Sequence, residues 1–525
     1  MMLRTLILMP AFFLLFSSGR TQTDQKDPLD AAFRVSRRAD ICTNLDSGTC
    51  AVIFSGGFDR YSPGGILPRP FVPAPDFFYL TGLRVPDAVL VLFAEPQKLS
   101  EGEATELLFF PGPNDQLLRN MGESWTGIFG RDGERRIIRP STQWRRFCLE
   151  VLGGDGIRKV LTFPFESSNY RKPGDLAYMD LGSILYSNLS PGFPFQPQAQ
   201  RLYQEISNAD TAGISQLVAR VSAYLSYFPS VRRDPILDTF TRVQAPAGLR
   251  EIQAKIAEIK IDLVQLAAIT QTMRQRKIGV ERNHLEKASA RLAEALQAAA
   301  RTLQPGASEA SIASVVQTAL RQGETPPNMP VRVASGVHAS QPYYLSNRDQ
   351  IPEKGFVVLD FGGRSEGYCA RITRTLPAAG RFSTEEKKMY EVLLNVHRAV
   401  IDQCRPGTRP SNIVNGARPG FETYFGELAL ATNRAGRGKV VQTINLAPIG
   451  LDLNELPLPD ALIPGMALEV ETAIYIPGDR RINALWQNTG IVLRDVILIS
   501  EGPAQVLTNG FPHAPAEIEA ACGKE

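Results

Sequence analysis

The chain is poor in the residues that most often do catalytic or metal work. Of its 525 residues only four are histidine (His284, His338, His397 and His513) and only six are cysteine. Six thiols in a chain of this length are too few for a disulfide scaffold, and none stands in a C-x-x-C pair that would bind zinc or exchange electrons. Charge of one sign is also missing. The 57 basic and 54 acidic residues leave a formal net charge of +3, which excludes the basic footprint of a nucleic-acid binder or of a protein held on an anionic membrane. H-E-x-x-H, G-x-x-x-x-G-K-[ST] and G-x-G-x-x-G are absent, so the commonest zinc-peptidase, nucleotide and dinucleotide signatures do not apply.

Long apolar runs are scarce as well. One stands at the start, where Arg4 precedes an apolar run from Leu6 to Phe16, followed by the small residues Ser17 and Gly19. This reads as a secretory signal over residues 1–19, the rival being an uncleaved anchor; the run is shorter than the roughly 20 residues that span a bilayer. The expectation is an exported protein, periplasmic or extracellular, with no stable membrane insertion after cleavage. In an oxidising compartment Cys42 and Cys50, eight apart in a short polar segment, are expected to form a disulfide. Cys148, Cys369, Cys404 and Cys522 are expected to be buried as small apolar residues.

With 43% hydrophobic and 21% charged residues the composition is globular, and the length allows two or three packed domains. From 25 to 240 the text is rich in Pro and Gly and broken into short apolar runs such as Val89 to Phe93, which suits strands alternating with short helices. Helix formers take over after Arg242, with Leu285, Leu292, Leu296 and Leu303 recurring on one face, so a boundary is expected near Ala245 to Gly248 and a second domain over 250–510. Ser308 is placed to cap one helix there, and Ser383 with Glu386 forms a capping box for another. Four β-type runs stand among these helices in the second half: Phe356 to Gly362, Tyr368 to Thr375, Ala467 to Ile476 and Ile491 to Ser500. Glycines at 362, 363 and 367 permit a hairpin between the first two.

These runs carry a recognisable text. V-L-D-F-G-G-R-S-E-G-Y-C-A-R-I-T-R-T-L-P at Val358 to Pro377 resembles the segment of aminopeptidase P and prolidase that supplies the first two metal-binding aspartates. D-F-F-Y-L-T-G-L-R-V-P-D-A-V-L-V-L at Asp76 to Leu92 is similar to the signature of the aminopeptidase P N-terminal domain. G-L-D-L-N-E at Gly450 to Glu455, P-G-M-A-L-E-V-E-T-A-I-Y-I-P at Pro464 to Pro477 and G-I-V-L-R-D at Gly490 to Asp495 match the remaining blocks of the M24 metallopeptidases in order. The resemblance implies an α+β chain: a C-terminal pita-bread (creatinase/aminopeptidase) fold preceded by an α/β N-terminal domain. It also implies a site for two divalent metals, often manganese, held by two Asp, one His and two Glu.

This sequence departs from that ligand set. The first aspartate position is Asp360 and the first glutamate position is Glu471, but the second aspartate falls on Arg371, the metal histidine on Ala447 and the last glutamate on Arg494. Histidines that bind substrate or move protons in the family fall on Tyr343, Thr443 and Asn454. An intact site sets four carboxylates against two dications, and Asp360 and Glu471 against Arg371 and Arg494 also sum to zero. A guanidinium about 4 Å from a dication costs roughly 8 kcal/mol at an effective dielectric near 20, and arginine cannot escape by losing its proton. No metal cofactor is therefore expected, manganese entering only if the chain is an active peptidase. Arg371 and Arg494 are expected to knit the two acids together; a register shift would send them to solvent instead.

Other candidates are weaker. Ser365 lies in a G-x-S-x-G string at Gly363 to Gly367, but a strand rather than a helix is expected after it, so a hairpin turn is the better reading. Cys369 is expected to pack in the core, and Glu469 shares a strand face with Glu471 as a spare ligand. The function expected from the resemblance and its departures is an inactive peptidase relative whose cleft binds a peptide or protein, or which serves as a homo-oligomer partner. Two alternatives stand beside it: an active Xaa-Pro aminopeptidase with an altered metal site, and a purely structural exported protein.

Overall fold

The computed structural model describes residues 31–56, 73–110, 135–163, 181–189, 199–228, 231, 234–323, 325–431, 433–453, 455 and 457–523. The expected signal at 1–19 and the candidate Asn454 lie outside the described residues.

Among the described residues, two sheets organise the chain. The first runs β4-β3-β2-β1-β5-β6, with β1 at Thr49–Phe54, β2 at Val89–Leu99, β3 at Gly102–Phe110, β4 at Arg136–Pro140, β5 at Lys159–Thr162 and β6 at Ile261–Asp262. Strand β1 pairs antiparallel with β2 and parallel with β5. It is buried along its whole length because both faces are covered: Ala51 and Ile53 enter one apolar cluster, Cys50, Val52 and Phe54 the other. That coverage explains an unbroken apolar run rather than an alternating one.

The same two-sidedness removes the expected disulfide. Cys42, on the helix Ala31–Thr43, packs against the first cluster while Cys50 points into the second, so the sheet stands between them and both are free thiols. The boundary also moves. Leu249 and Ile252 of the helix Pro246–Ala257 pack in the second cluster, and β6 adds the last strand of the first sheet, so the N-terminal unit runs through Asp262 rather than ending near 245. Helix-forming composition located a change of character, not the point where packing changes partner.

The second sheet runs β10-β11-β12-β9-β8-β7, with β13 also paired to β12. Its strands are β7 at Arg332–Ser335, β8 at Phe356–Ser365, β9 at Tyr368–Pro377, β10 at Val441–Pro448, β11 at Ala467–Ile476, β12 at Thr489–Leu498 and β13 at Gln505–Val506. Two long helices cover one face. Gly279–Thr302 buries Leu285, Leu292 and Leu296 against β8 and β9, each worth roughly 1.5–3 kcal/mol of apolar burial. Thr384–Gln403 packs on β11 and β12; it starts at Ser383, whose hydroxyl accepts from Glu386 N at 3.2 Å while the Glu386 carboxylate accepts from Ser383 N at 2.8 Å.

The β8–β9 hairpin closes on Glu366 and Gly367, both with positive φ (44° and 92°), the backbone that a two-residue turn matched to strand twist requires. Gly367 is needed twice over, since a Cβ there would come within 2.6 Å of the Phe78 ring of the N-terminal unit. The two units are further joined by a buried ion cluster. Arg274 reaches Asp76 at 2.9 Å and also Glu455, whose other oxygen accepts from Lys277 at 2.6 Å. Ser365 ends β8 and is followed by β9.

Candidate functional site

The registers of the second sheet place one row of side chains across its uncovered face. Asn445 on β10 stands opposite Glu471 on β11, Glu471 opposite Arg494 on β12, Arg494 opposite Thr373 on β9, Thr373 opposite Asp360 on β8, and Asp360 opposite Arg332 on β7. Cross-strand partners share a face, so residues drawn from six strands converge on one floor. Arg371 and Glu469 lie two residues from Thr373 and Glu471 and join the same face.

Arg371 grips Asp360 with a two-pronged contact, Nε to Oδ1 at 2.9 Å and a terminal nitrogen to Oδ2 at 2.6 Å, and Thr373 donates to Oδ1 at 2.9 Å. Arg494 is in direct contact with Glu471 and reaches Glu469 at 3.4 Å. Water reaches the row only at its edges: the side chains of Arg371 and Glu471 are 21% and 17% exposed, while those of Arg494 and Asp360 are 6% and 8%. Burial alone would raise the Asp360 carboxyl, but the charges of Arg494 and Arg371 with their hydrogen bonds hold it at about 2. Glu469 goes the other way, pushed up by burial against the pull of Arg494 and Arg371, and its Oε1 has no partner among the described residues. The remaining positions contribute little. Ala447 is a buried methyl opposite Glu469, Thr443 has a buried hydroxyl that finds no partner among the described residues, and Tyr343 is 94% exposed.

These residues do not fit a pair of divalent ions. Both oxygens of Asp360 are taken by the fork of Arg371, Arg494 fills the space between Glu469 and Glu471 with a positive charge, and the histidine position offers a methyl group. What the arrangement supplies is a rigid polar floor of alternating sign.

Two features were not read from the sequence. The first is Arg332, which brings a third guanidinium to the row. The signal available was one charge inside the apolar run V-R-V-A. The second lies on the helix-covered face of the same strands, where Arg374 and Asp495 meet at 2.6 Å with both side chains wholly buried. Asp495 also accepts from Thr508 at 2.5 Å and His397 Nε2 at 2.9 Å, and lies 2.7 Å from His513 Nε2. His397 Nδ1 is 2.9 Å from the Thr472 hydroxyl, the pattern of a neutral ring, and burial lowers its pKa in spite of Asp495. A His-Asp-His group can ligate a cation, but Arg374 already supplies the counter-charge here. Cys369 is fully buried and burial raises its thiol pKa, so it packs rather than reacts.

Residues 283–501 match metallopeptidase family M24, and residues 35–128 match the aminopeptidase P N-terminal domain. The two regions, in their order along the chain, are those of an aminopeptidase P/M24 family member. Mouse Xaa-Pro aminopeptidase 3 is 29% identical over 206 residues, 37% of this chain and 40% of the relative. The Xaa-Pro aminopeptidase of Escherichia coli is 26% identical over 213 residues, 38% of this chain and 48% of that protein. The chain thus aligns with under half the length of these relatives. The structure of E. coli aminopeptidase P with the inhibitor Pro-Leu superposes with a TM-score of 0.68 at 20% identity, covering 94% of this chain and 98% of that one. The fold is therefore the aminopeptidase P fold, a pita-bread domain behind its N-terminal partner. Fold alone does not carry activity.

Proposed function

We propose that this chain is an exported, non-catalytic member of the M24 family whose cleft is kept for binding a peptide or protein. The observation that supports this reading is the placement of Arg371 and Arg494 against the acids at metal-ligand positions, joined by the methyl of Ala447. Export rests on the apolar N-terminal run and its small residues alone. The test is elemental analysis of the purified protein, with a proline-second peptide assay in excess manganese; stoichiometric metal together with turnover refutes the reading.

The rival is an active metallo-exopeptidase that removes the residue before proline. It is favoured by the names of the relatives, which are peptidases, and turnover by the unmodified protein would establish it. A purely structural role is separated from peptide binding by a thermal-shift screen with proline-containing peptides, because a ligand selective for the folded chain raises its melting temperature.

A further inference from the structure

Arg332 is the member of the row whose charge is not answered. Its residue is 3% exposed, yet among the described residues no carboxylate lies within ion-pair distance of it. One terminal nitrogen donates to the backbone oxygen of Gln341 at 2.9 Å, and the buried Nε has no partner among the described residues. Asp360, opposite it in register, is already committed to both prongs of Arg371 and to Thr373. Glu469 and Glu471 belong to Arg494, whose own charge opposes that of Arg332. A buried guanidinium without an anion is costly, and such a group is stabilised by whatever brings a carboxylate to it.

Beside it lies a small apolar group, Ala334, Ala339, Val358, Ala473, Tyr475 and Val492, with Tyr344 packed against it. The guanidinium therefore sits between a charged floor and a dry wall, where a charge-assisted hydrogen bond is stronger than in water. A free amino group entering the same place would meet three arginines.

We infer that the cleft is a carboxylate acceptor, and that a peptide bound there presents a carboxylate to Arg332 rather than an amino terminus to the acids. This rests on the peptide-binding reading above and specifies its ligand. Carboxylate is favoured over other anions because it matches the planar fork of arginine. A terminal carboxylate and an Asp or Glu side chain offer the same chemistry.

The test is titration calorimetry on the full chain with four probes: acetyl-Ala-Pro-Ala as the free acid, the same peptide as its C-terminal amide, acetyl-Ala-Pro-Asp amide, and unacetylated Ala-Pro-Ala amide. The expected result is that the free acid binds about tenfold or more tightly than its amide, as one gained charge-assisted contact implies. The aspartyl probe tells a terminal from a side-chain source by matching either the acid or the amide. In Arg332→Met, checked for an unchanged circular dichroism spectrum, the acid loses its advantage. The wild-type comparison stands even if that variant does not fold. Equal binding of acid and amide, or an unacetylated amide that binds more tightly than the acetylated acid, overturns the inference and leaves peptide binding intact. Absence of binding by every probe and by the unacetylated amide overturns both.

Discussion

Arg494→Met keeps most of the volume of the side chain and removes its charge from between Glu469 and Glu471. All three side chains are at most 17% exposed, so the two acids are left facing each other in a medium that screens poorly. Breaking a buried ion pair by deleting one partner costs about 3–5 kcal/mol, and the partial exposure of Glu471 places this site at the lower end, about 3 kcal/mol. For a domain of this size that is a fall in melting temperature of roughly 6–12 °C. Urea unfolding followed at the second sheet, at pH 7 and again near pH 4, measures it. The loss shrinks at the lower pH because the abandoned carboxylates take up protons. A companion variant, Arg494→Met with Glu469→Gln and Glu471→Gln, recovers most of the stability, since it deletes the charges together instead of orphaning two. The reasoning is refuted if Arg494→Met stays within about 0.5 kcal/mol of the native protein, the mark of a solvent-facing side chain, or if the companion is the less stable of the two.

Converting the row back toward a metal centre with Arg371→Asp, Arg494→Glu and Ala447→His is expected to produce manganese binding, read by elemental analysis, where the unmodified chain binds none; a well-folded variant without manganese would mean that the floor has lost more than its ligands. Glu455 has its pKa held at about 2, below the usual 4.5, because Lys277 and Arg274 outweigh the burial that would raise it. Its contribution is therefore complete above pH 4.5 and lost as pH falls toward 2, up to about 3 kcal/mol at the junction of the two units. Acid melts should be steeper for the native chain than for Glu455→Gln, and identical slopes would contradict the assignment. Thiol titration of the unreduced, denatured protein should count all six cysteines; a count of four would restore the Cys42–Cys50 disulfide.

The parts of the molecule that could be read from the text are those where distance in sequence and distance in space are tied by a turn. Asp360 and Arg371 lie on two arms of a hairpin closed at Glu366 and Gly367, so their spacing alone puts them on neighbouring strands. The capping box at Ser383 and the apolar stripe of Gly279–Thr302 are local for the same reason. Arg332 was hidden because a strand of four residues is too short to show its period. The meeting of His397, Asp495 and His513 depends on a helix packing on a distant strand, and no spacing rule carries that. Cys42 and Cys50 misled because nearness along the chain says nothing about which side of a sheet each residue takes.

Arg494 and Asp495 are consecutive, yet one serves the open face and the other the helix-covered face, each with oppositely charged partners waiting. Sliding β12 by a single residue one way would set Asp495 against Glu471, and sliding it the other way would set Arg494 against Arg374. Each direction of slip thus meets a like charge on one face of the sheet, so misthreaded forms would be rejected by repulsion and not merely left less well packed.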